Sequence, residues 1–114
     1  MKVTRLAEAK PYEPPGHFNV ASLRLQSPDL SGGKHLTLSM SVFLPGGGAE
    51  FAEVPANMDM NLIYYMVEGE MTVTLENDQF VLGPGDSVEW LPGDGRSIKN
   101  ETNRPAIMLV IIGK

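Results

Sequence analysis

The sequence predicts an all-β protein, folded as a sandwich or a barrel. Apolar and polar residues alternate with a period of two over many short segments, as they do along half-buried strands. The 12 glycines and 9 prolines among 114 residues supply the many turns that such a fold requires. No segment carries a convincing helical pattern. Counting the segments gives about nine to eleven short strands, which is typical of sandwiches and barrels.

The N-terminal third is predicted to contain two strands and two loops. Lys2 to Leu6 is predicted as a short strand, at a sheet edge or as an arm on a partner subunit. The prolines of Lys10 to Gly16 exclude a helix interior, because Pro lacks a backbone donor, and they predict an extended surface loop. Phe18 to Leu25 alternates imperfectly and is predicted as a strand. The polar segment Gln26 to Lys34 predicts a second loop.

The segment His35 to Leu44 predicts a strand with one apolar and one mostly polar face. Pro45 to Gly48 is expected to end this strand, Ala49 to Glu53 to form another strand, and Val54 to Met60 to form a loop. The apolar face of the first strand carries Leu36, Leu38, Met40 and Val42.

The C-terminal half is predicted as a series of hairpins followed by a buried strand. Gly69 and the pair Asn77-Asp78 mark two of the turns. The last segment is apolar on both faces, as a central strand would be. The predicted strands are Asn61 to Val67, Met71 to Leu75, Gln79 to Leu82, Ser87 to Leu91, Arg96 to Asn100 and Ala106 to Ile112.

Length, net charge and the absence of cysteine limit the classes of protein to which this chain could belong. A chain of 114 residues has the length of one domain. The net charge of −5 argues against nucleic acid as a partner, which needs a basic face, and against an anionic membrane surface. The absence of cysteine suits a reducing compartment, and no signal peptide or membrane span is recognised. We therefore expect a cytoplasmic protein.

The segment Gly83 to Asn100 carries the most distinctive pattern of the chain. Two tight turns, each followed by a short strand, place Gly85, Gly93 and Asn100 at fixed spacings. These positions match the second sequence motif of the cupin family: Gly, five residues, Pro, one residue, Gly, two residues, His, three residues, Asn. Pro92 stands one residue beyond the Pro position, and Arg96 occupies the His position. The segment therefore resembles the cupin motif.

A degenerate copy of the first cupin motif runs from Gly48 to Gly69, and its ending, Tyr64 to Glu70, is typical of the family. The resemblance covers residues 38–112 and implies a double-stranded β-helix, the jelly-roll barrel of cupins and RmlC-like proteins. We accordingly expect one cupin domain over residues 1–114. Residues 1–34 would form an N-terminal arm and the first strands, and residues 38–112 the motif-bearing barrel.

Cupins usually bind a divalent metal through two His and one Glu of the first motif and one His of the second. Counting along the first motif from either end places its ligands at Leu62 and among residues 54–58, none of which is His or Glu. Arg96 occupies the fourth ligand position. The resemblance therefore predicts no standard cofactor, while a divalent transition metal held by other residues stays open.

Arg96 is the residue that most sharply indicates a function. A permanently charged guanidinium inside a barrel needs a partner. It could bind a carboxylate or phosphate of a small ligand through two parallel hydrogen bonds. Alternatively, it pairs with Glu50, Glu53 or Asp59, or turns to solvent at the rim. A cation at this position opposes a metal and favours an anion.

Period-two alternation on the neighbouring strands predicts a mostly apolar, Met-rich pocket around Arg96. Tyr64 is expected to point inward, where it either packs or donates a hydroxyl for binding or proton transfer. The predicted ligand-binding residues are Arg96, Tyr64, Leu62, Met66, Met40, Asn100 and Met108.

Two hypotheses concern acid–base catalysis and metal binding. Glu50 and Tyr64 are candidate catalytic residues for acid–base steps, although Glu50 could equally be a solvated loop carboxylate and Tyr64 a packing residue. An atypical metal site would need three or four converging ligands. The side chains available for it are those of His17, His35, Glu50 and Glu53.

The sequence leaves two functions open. The first is a cupin-barrel protein that binds a small, anionic organic molecule in a metal-free or non-standard pocket, as a sensor, carrier or accessory domain. The second is an enzyme, either a metal-dependent oxygenase or isomerase with an atypical His/Glu site, or a metal-free epimerase, isomerase or cyclase-like acid–base catalyst. By resemblance we also expect a homodimer, paired through outer strands or exchanged N-terminal arms.

Overall fold

The computed structural model describes residues 1–114 and confirms the all-β fold. Nine antiparallel strands form one sheet that curls into a nearly closed jelly-roll barrel. Two short helical segments, a 3-10 turn at Leu6–Glu8 and α1 at Pro28–Ser31, lie outside the sheet. The strands are β1 (Lys10–Tyr12), β2 (His17–Gln26), β3 (Leu36–Glu53), β4 (Asn61–Glu68), β5 (Met71–Thr74), β6 (Gln79–Leu82), β7 (Ser87–Trp90), β8 (Gly95–Lys99) and β9 (Ala106–Gly113).

The order of strands across the sheet explains how the barrel closes. The order is β6-β5-β8-β3-β9-β4-β7, with β2 paired to β3 and β1 paired to β2. Strand β3 has 18 residues and bends, so its first half pairs with β9 and its second half with β8. Strands β6 and β7 lie at the two ends of this order and do not pair with each other. We call the gap between β6 and β7 the seam.

The glycines after Pro45 bend β3 and do not end it, contrary to the prediction. Gly47 and Gly48 are buried, and each lies against a carbonyl of another strand. A Cβ on Gly47 would collide with the carbonyl oxygen of Asn19, and one on Gly48 with that of Ile98. Without side chains, the two residues let one continuous strand cross from one half of the sheet to the other.

The N-terminal segment also differs from the prediction. Lys2 to Leu6 forms no strand, and the Gln26 side chain holds this segment by donating to the Lys2 carbonyl at 2.9 Å and the Thr4 hydroxyl at 3.3 Å. Strand β1 lies inside the predicted loop, at the sheet edge, where Pro11 is tolerated because an edge residue need not donate to a neighbour. The turn of α1 likewise lies inside the second predicted loop.

The polar face of β3 looks into the barrel. Ser39, Ser41 and Phe43 are only 1%, 2% and 0% exposed. Met40 lies on the other face, directly opposite Leu109 of β9. Met40 therefore faces away from the pocket that it was predicted to line, because successive residues of a strand point to opposite faces.

The barrel interior is a packed core. Strand β9 lies between β3 and β4, which accounts for its two apolar faces. The side chains that are almost completely buried include those of Phe43, Met66, Met71, Val73 and Met108.

Neither helical segment has the length or apolar character that crossing a lipid bilayer requires.

Candidate functional site

A small chamber lies beside Arg96, between the two halves of the sheet. Its volume is about 40 Å³, comparable to the space taken by a few water molecules. In this conformation it could admit a group the size of a carboxylate. The walls come from the loop before β2, the second half of β3, β4 and β8. They are formed by Pro15, His17, Ala49, Glu50, Ala52, Tyr64, Arg96 and Ile98.

The half-buried Arg96 is held by neutral oxygen atoms. Its Nε and Nη2 donate to the Tyr64 hydroxyl oxygen at 3.2 and 2.8 Å, and its Nη1 donates to the Ala52 carbonyl at 3.1 Å. The guanidinium carbon also lies 5.5 Å from the ring centroids of both Tyr64 and Trp90. None of these partners carries a negative charge, so the structure does not show the ion pair with Glu50, Glu53 or Asp59 that the sequence left open.

This arrangement fixes the guanidinium without neutralising it. A guanidinium has five N–H groups in a planar fork, and three are used on neutral oxygens. The remaining two N–H groups and the full positive charge are available to a further acceptor. An anionic oxygen would be the strongest such partner, because charge-assisted hydrogen bonds are about twice as strong as neutral ones.

Tyr64 reaches the chamber because β4 alternates, as the sequence indicated. It is 4% exposed, and its ring packs edge-on against Trp90 with centroids 5.8 Å apart. The hydroxyl oxygen accepts both hydrogen bonds from Arg96, so the hydroxyl hydrogen is left to donate elsewhere. Arg96 and Tyr64 therefore form one unit that offers N–H and O–H donors to a ligand.

Glu50 reaches the chamber because of a β-bulge. In the register of β3 and β8, Ala49 pairs with Ile98 and Ala52 with Arg96, so three steps on β3 face two on β8. A bulge of this kind redirects side chains. Glu50 consequently lines the chamber, while Phe51 lines the seam. The sequence placed Glu50 near the site but gave no signal of the bulge.

His17 enters the chamber through the pairing of β2 with β3, where it lies opposite Ala49. Its ring stacks on Phe43, and its Nδ1 lies 2.9 Å from the carbonyl oxygen of Pro15. A carbonyl can only accept, so this contact assigns the hydrogen to Nδ1. In the neutral imidazole, the other nitrogen, Nε2, carries a lone pair that can accept a hydrogen bond.

Three predicted pocket residues point inward but lie in the core. Leu62, Met66 and Met108 are 8%, 0% and 1% exposed and belong to the buried cluster. They are not among the residues that line the chamber. The large apolar cavity expected around Arg96 is therefore filled by the protein's own side chains.

Asn100 is fully buried, and its side chain is used within the fold. Its Nδ2 donates to the carbonyl oxygens of Phe43 at 3.1 Å and Arg104 at 2.7 Å. Its Oδ1 accepts from the backbone N–H and the hydroxyl of Thr102, at 3.0 and 2.7 Å. With two donors and two acceptor sites occupied, no polar group is left for the ligand that the sequence assigned to this residue.

The histidine and carboxylate residues do not fit a metal site. Only His17 and Glu50 of the four alternative ligands line the chamber. His35 lies in a separate cleft with several basic residues, and Glu53 lies in the seam. No group of three or more His, Cys, Asp or Glu side chains is placed to hold a metal ion. Leu62 and Arg96, at positions where cupins carry ligands, offer no metal donor.

Sequence reasoning missed the contribution of Trp90. The structure places it inside, 4% exposed, against both Tyr64 and Arg96. No pattern in the sequence indicated these contacts, because they depend on how β7 lies against β4 and β8 in the folded sheet.

Comparison with known proteins identifies the family. The model of the family described as "Cupin domain" matches residues 41–112. A protein from Mycobacterium tuberculosis named beta-D-galactosidase Rv1717 is 38% identical over 112 residues, covering 98% of this chain and 93% of that protein.

Solved structures share the fold at low identity. The polyketide cyclase RemF from Streptomyces resistomycificus superposes with a TM-score of 0.84 at 18% identity, covering 99% of this chain and 79% of that one. A predicted oxalate decarboxylase from Thermotoga maritima gives 0.79 at 21% identity, covering 99% and 98% of the two chains. The family match spans most of the barrel, and the folds agree over nearly the whole length. The chain therefore belongs to the cupin family.

Proposed function

We propose that the chamber binds a small organic molecule through an anionic group that Arg96 receives. The observation that carries this proposal is the state of the guanidinium. It is half-buried, it is held in place by Tyr64 and Ala52, and its charge has no acidic partner. A half-buried guanidinium without an acidic partner gains a strong, charge-assisted hydrogen bond when an anion joins it.

The neighbouring groups suit a carboxylate or phosphate. The two unused N–H groups of Arg96 donate to its oxygens, and the Tyr64 hydroxyl can donate a further hydrogen bond. The chamber volume of about 40 Å³ fits the anionic group alone. The rest of the ligand then lies at the opening, beside His17 and Glu50. These two side chains determine which further polar groups the ligand needs.

Calorimetric titration with acetate, oxalate and inorganic phosphate tests this proposal. We expect at least one of them to bind wild type, and Arg96→Ala to weaken that binding about 100-fold, since two charge-assisted hydrogen bonds are lost at about 1.5 kcal/mol each. Lys99→Ala is the matched control, because it removes the same charge from an exposed position on the same strand. Equal effects of the two variants would contradict the proposal, as would binding to none of the three anions.

A second candidate function is the hydrolysis of β-galactosides. It is favoured by the relative named beta-D-galactosidase, which is 38% identical over 98% of this chain. Such a reaction needs an acid that protonates the leaving oxygen and a base that activates water. We assign these roles to the carboxyl group of Glu50 and to Nε2 of His17. The water oxygen bonds to the anomeric carbon as the glycosidic bond breaks, and its proton passes to His17.

Release of nitrophenol from a nitrophenyl β-D-galactoside tests the second candidate. Glu50→Gln and His17→Ala should each lower the rate about 100-fold or more. His35→Ala, which changes the histidine outside the chamber, should leave the rate unchanged. A wild-type protein that releases no more nitrophenol than buffer does would exclude this function and leave the anion proposal standing.

We also propose a homodimer in the cytoplasm. On the outer face of the sheet, the register sets Leu23, Met40, Leu109 and Tyr65 side by side across four strands. None of them is buried within the single chain, and a contiguous apolar patch on a surface suits an interface. Sedimentation should give twice the chain mass, and Met40→Glu should halve the measured mass.

The lack of cysteine supports a location in the cytoplasm, which cell fractionation would test.

A further inference from the structure

We infer that the seam between β6 and β7 is a second binding site, which takes a pyranose sugar. The seam forms a cleft of about 510 Å³, within the usual range for small-molecule sites. It lies apart from the Arg96 chamber, because no residue lines both. Its walls come from the end of β3, the β5–β6 hairpin and the β7–β8 turn. The residues that carry the inference are Phe51, Glu53, Glu76, Trp90 and Gly95.

Phe51 supplies an aromatic platform. Its side chain is 53% exposed although it is large and apolar. The absence of a side chain at Gly95 sets the position of the ring, since a Cβ there would lie 2.6 Å from Cζ of Phe51 and 3.0 Å from Cγ of Glu53. The bulge in β3 turns Phe51 toward the seam, so the exposed ring is a built feature of the cleft.

Trp90 supplies an unused hydrogen-bond donor. It lines the cleft, is only 4% exposed, and its Nε1 has no hydrogen-bond partner. Buried polar groups are nearly always paired, so the unpaired indole N–H of this wall residue is free to donate to an acceptor that a ligand brings as it packs against the ring. This donor needs an oxygen atom, and a simple cation or hydrocarbon cannot provide one.

The rim of the cleft supplies acceptors. Three of its five carboxylates already accept hydrogen bonds, Asp94 from Leu91, Asp78 from Gln79 and Glu89 from Asn61. The side chains of the other two, Glu53 and Glu76, accept no hydrogen bond from the protein, so they are free to accept from a ligand. A molecule in the cleft therefore meets two open carboxylates beside the aromatic ring.

A pyranose matches all three features at once. Its C–H face packs on an aromatic ring, its hydroxyl hydrogens suit the free carboxylates, and its oxygens accept from the indole N–H. A quaternary ammonium ion would satisfy the carboxylates and the ring but would leave the N–H unpaired. A sugar phosphate or sugar acid would be repelled by the acidic rim, so the structure assigns a neutral sugar.

Fluorescence of Trp90, the only tryptophan of the chain, tests the inference directly. Titration with methyl glucopyranosides and methyl galactopyranosides should change this emission saturably, and calorimetry should give the same dissociation constant. Phe51→Ala and Glu53→Gln should each weaken binding about tenfold. Phe18→Ala, which removes an exposed aromatic ring from another surface, should leave it unchanged.

The competing outcomes are distinct. Absence of binding by both methods for every glycoside would overturn the inference, as would tighter binding of tetramethylammonium than of any glycoside. Loss of sugar binding in Arg96→Ala but not in Phe51→Ala would assign the sugar to the chamber instead. Failure of the anion titrations at Arg96 would not affect this inference, because the two sites share no lining residue.

Discussion

Replacing Asn100 by Ala should destabilise the protein strongly without weakening ligand binding. Asn100 is 0% exposed, and its amide joins the bend of β3 to the turn that precedes β9. The substitution removes two donated and two accepted hydrogen bonds. Neither the charge of Arg96 nor any residue that lines the chamber changes.

The magnitude follows from where each released partner lies. The hydrogen bond to Phe43 is buried, so this carbonyl loses its partner without gaining water, at a cost of about 2 kcal/mol. The partners in Thr102 and Arg104 are only partly buried and remain within reach of water, so these three bonds together account for about 2 kcal/mol more. The expected loss is about 4 kcal/mol, a large part of the 5–15 kcal/mol that is typical of a domain.

Urea unfolding followed by Trp90 fluorescence measures this loss. Thr102→Val serves as a graded control, because it removes the hydroxyl alone and should cost about 1 kcal/mol. Anion titration at a temperature where Asn100→Ala stays folded should give a wild-type dissociation constant. A loss of stability below 1 kcal/mol, or a selective loss of affinity, would refute the structural role and restore the ligand-binding role that the sequence predicted.

Two further predictions concern the bend and inner face of β3, and urea unfolding measures both. Ser39→Ala should leave stability unchanged or raise it by about 1 kcal/mol, because the buried Ser39 hydroxyl has no partner, whereas Ser41→Ala should lower it by about 1 kcal/mol by breaking the 2.9 Å bond to Ser22. Gly48→Ala should cost about 3 kcal/mol, since the new Cβ meets the Ile98 carbonyl; an unchanged midpoint would show that the strands separate easily.

Local patterns were sufficient to predict most strands. Alternation and turn residues placed β4 to β9 within one or two residues of their observed bounds, because period-two burial and the turn preferences of Gly, Pro, Asn and Asp act over a few residues. The same patterns failed at Gly47 and Gly48. Glycines are equally suited to ending a strand and to bending one against another backbone, and only the position of β8 distinguishes the two.

The candidate site was likewise predicted from the sequence only in part. Arg96 and Tyr64 were identified from alternation and from the cupin resemblance, and the structure joins them through two hydrogen bonds. Glu50 was named as a candidate catalytic residue and His17 only as an alternative metal ligand, and neither was predicted to share a chamber with Arg96, since a bulge in β3 and the register of β2 bring them there. Bulges and register depend on pairs of strands, so a single segment does not encode them visibly.

What the chain alone determined is an all-β barrel of the cupin family, with Arg96 at the His position of the second cupin motif. Whether the serine face or the methionine face of β3 turns inward was decided by the fold, because alternation marks two faces but does not say which one the other strands cover. Packing of Met66 and Met108 likewise reduced an expected apolar cavity to a chamber of about 40 Å³. Three-dimensional contacts set these features because side-chain volume, hydrogen-bond partners and exposure are properties of neighbouring strands rather than of one segment.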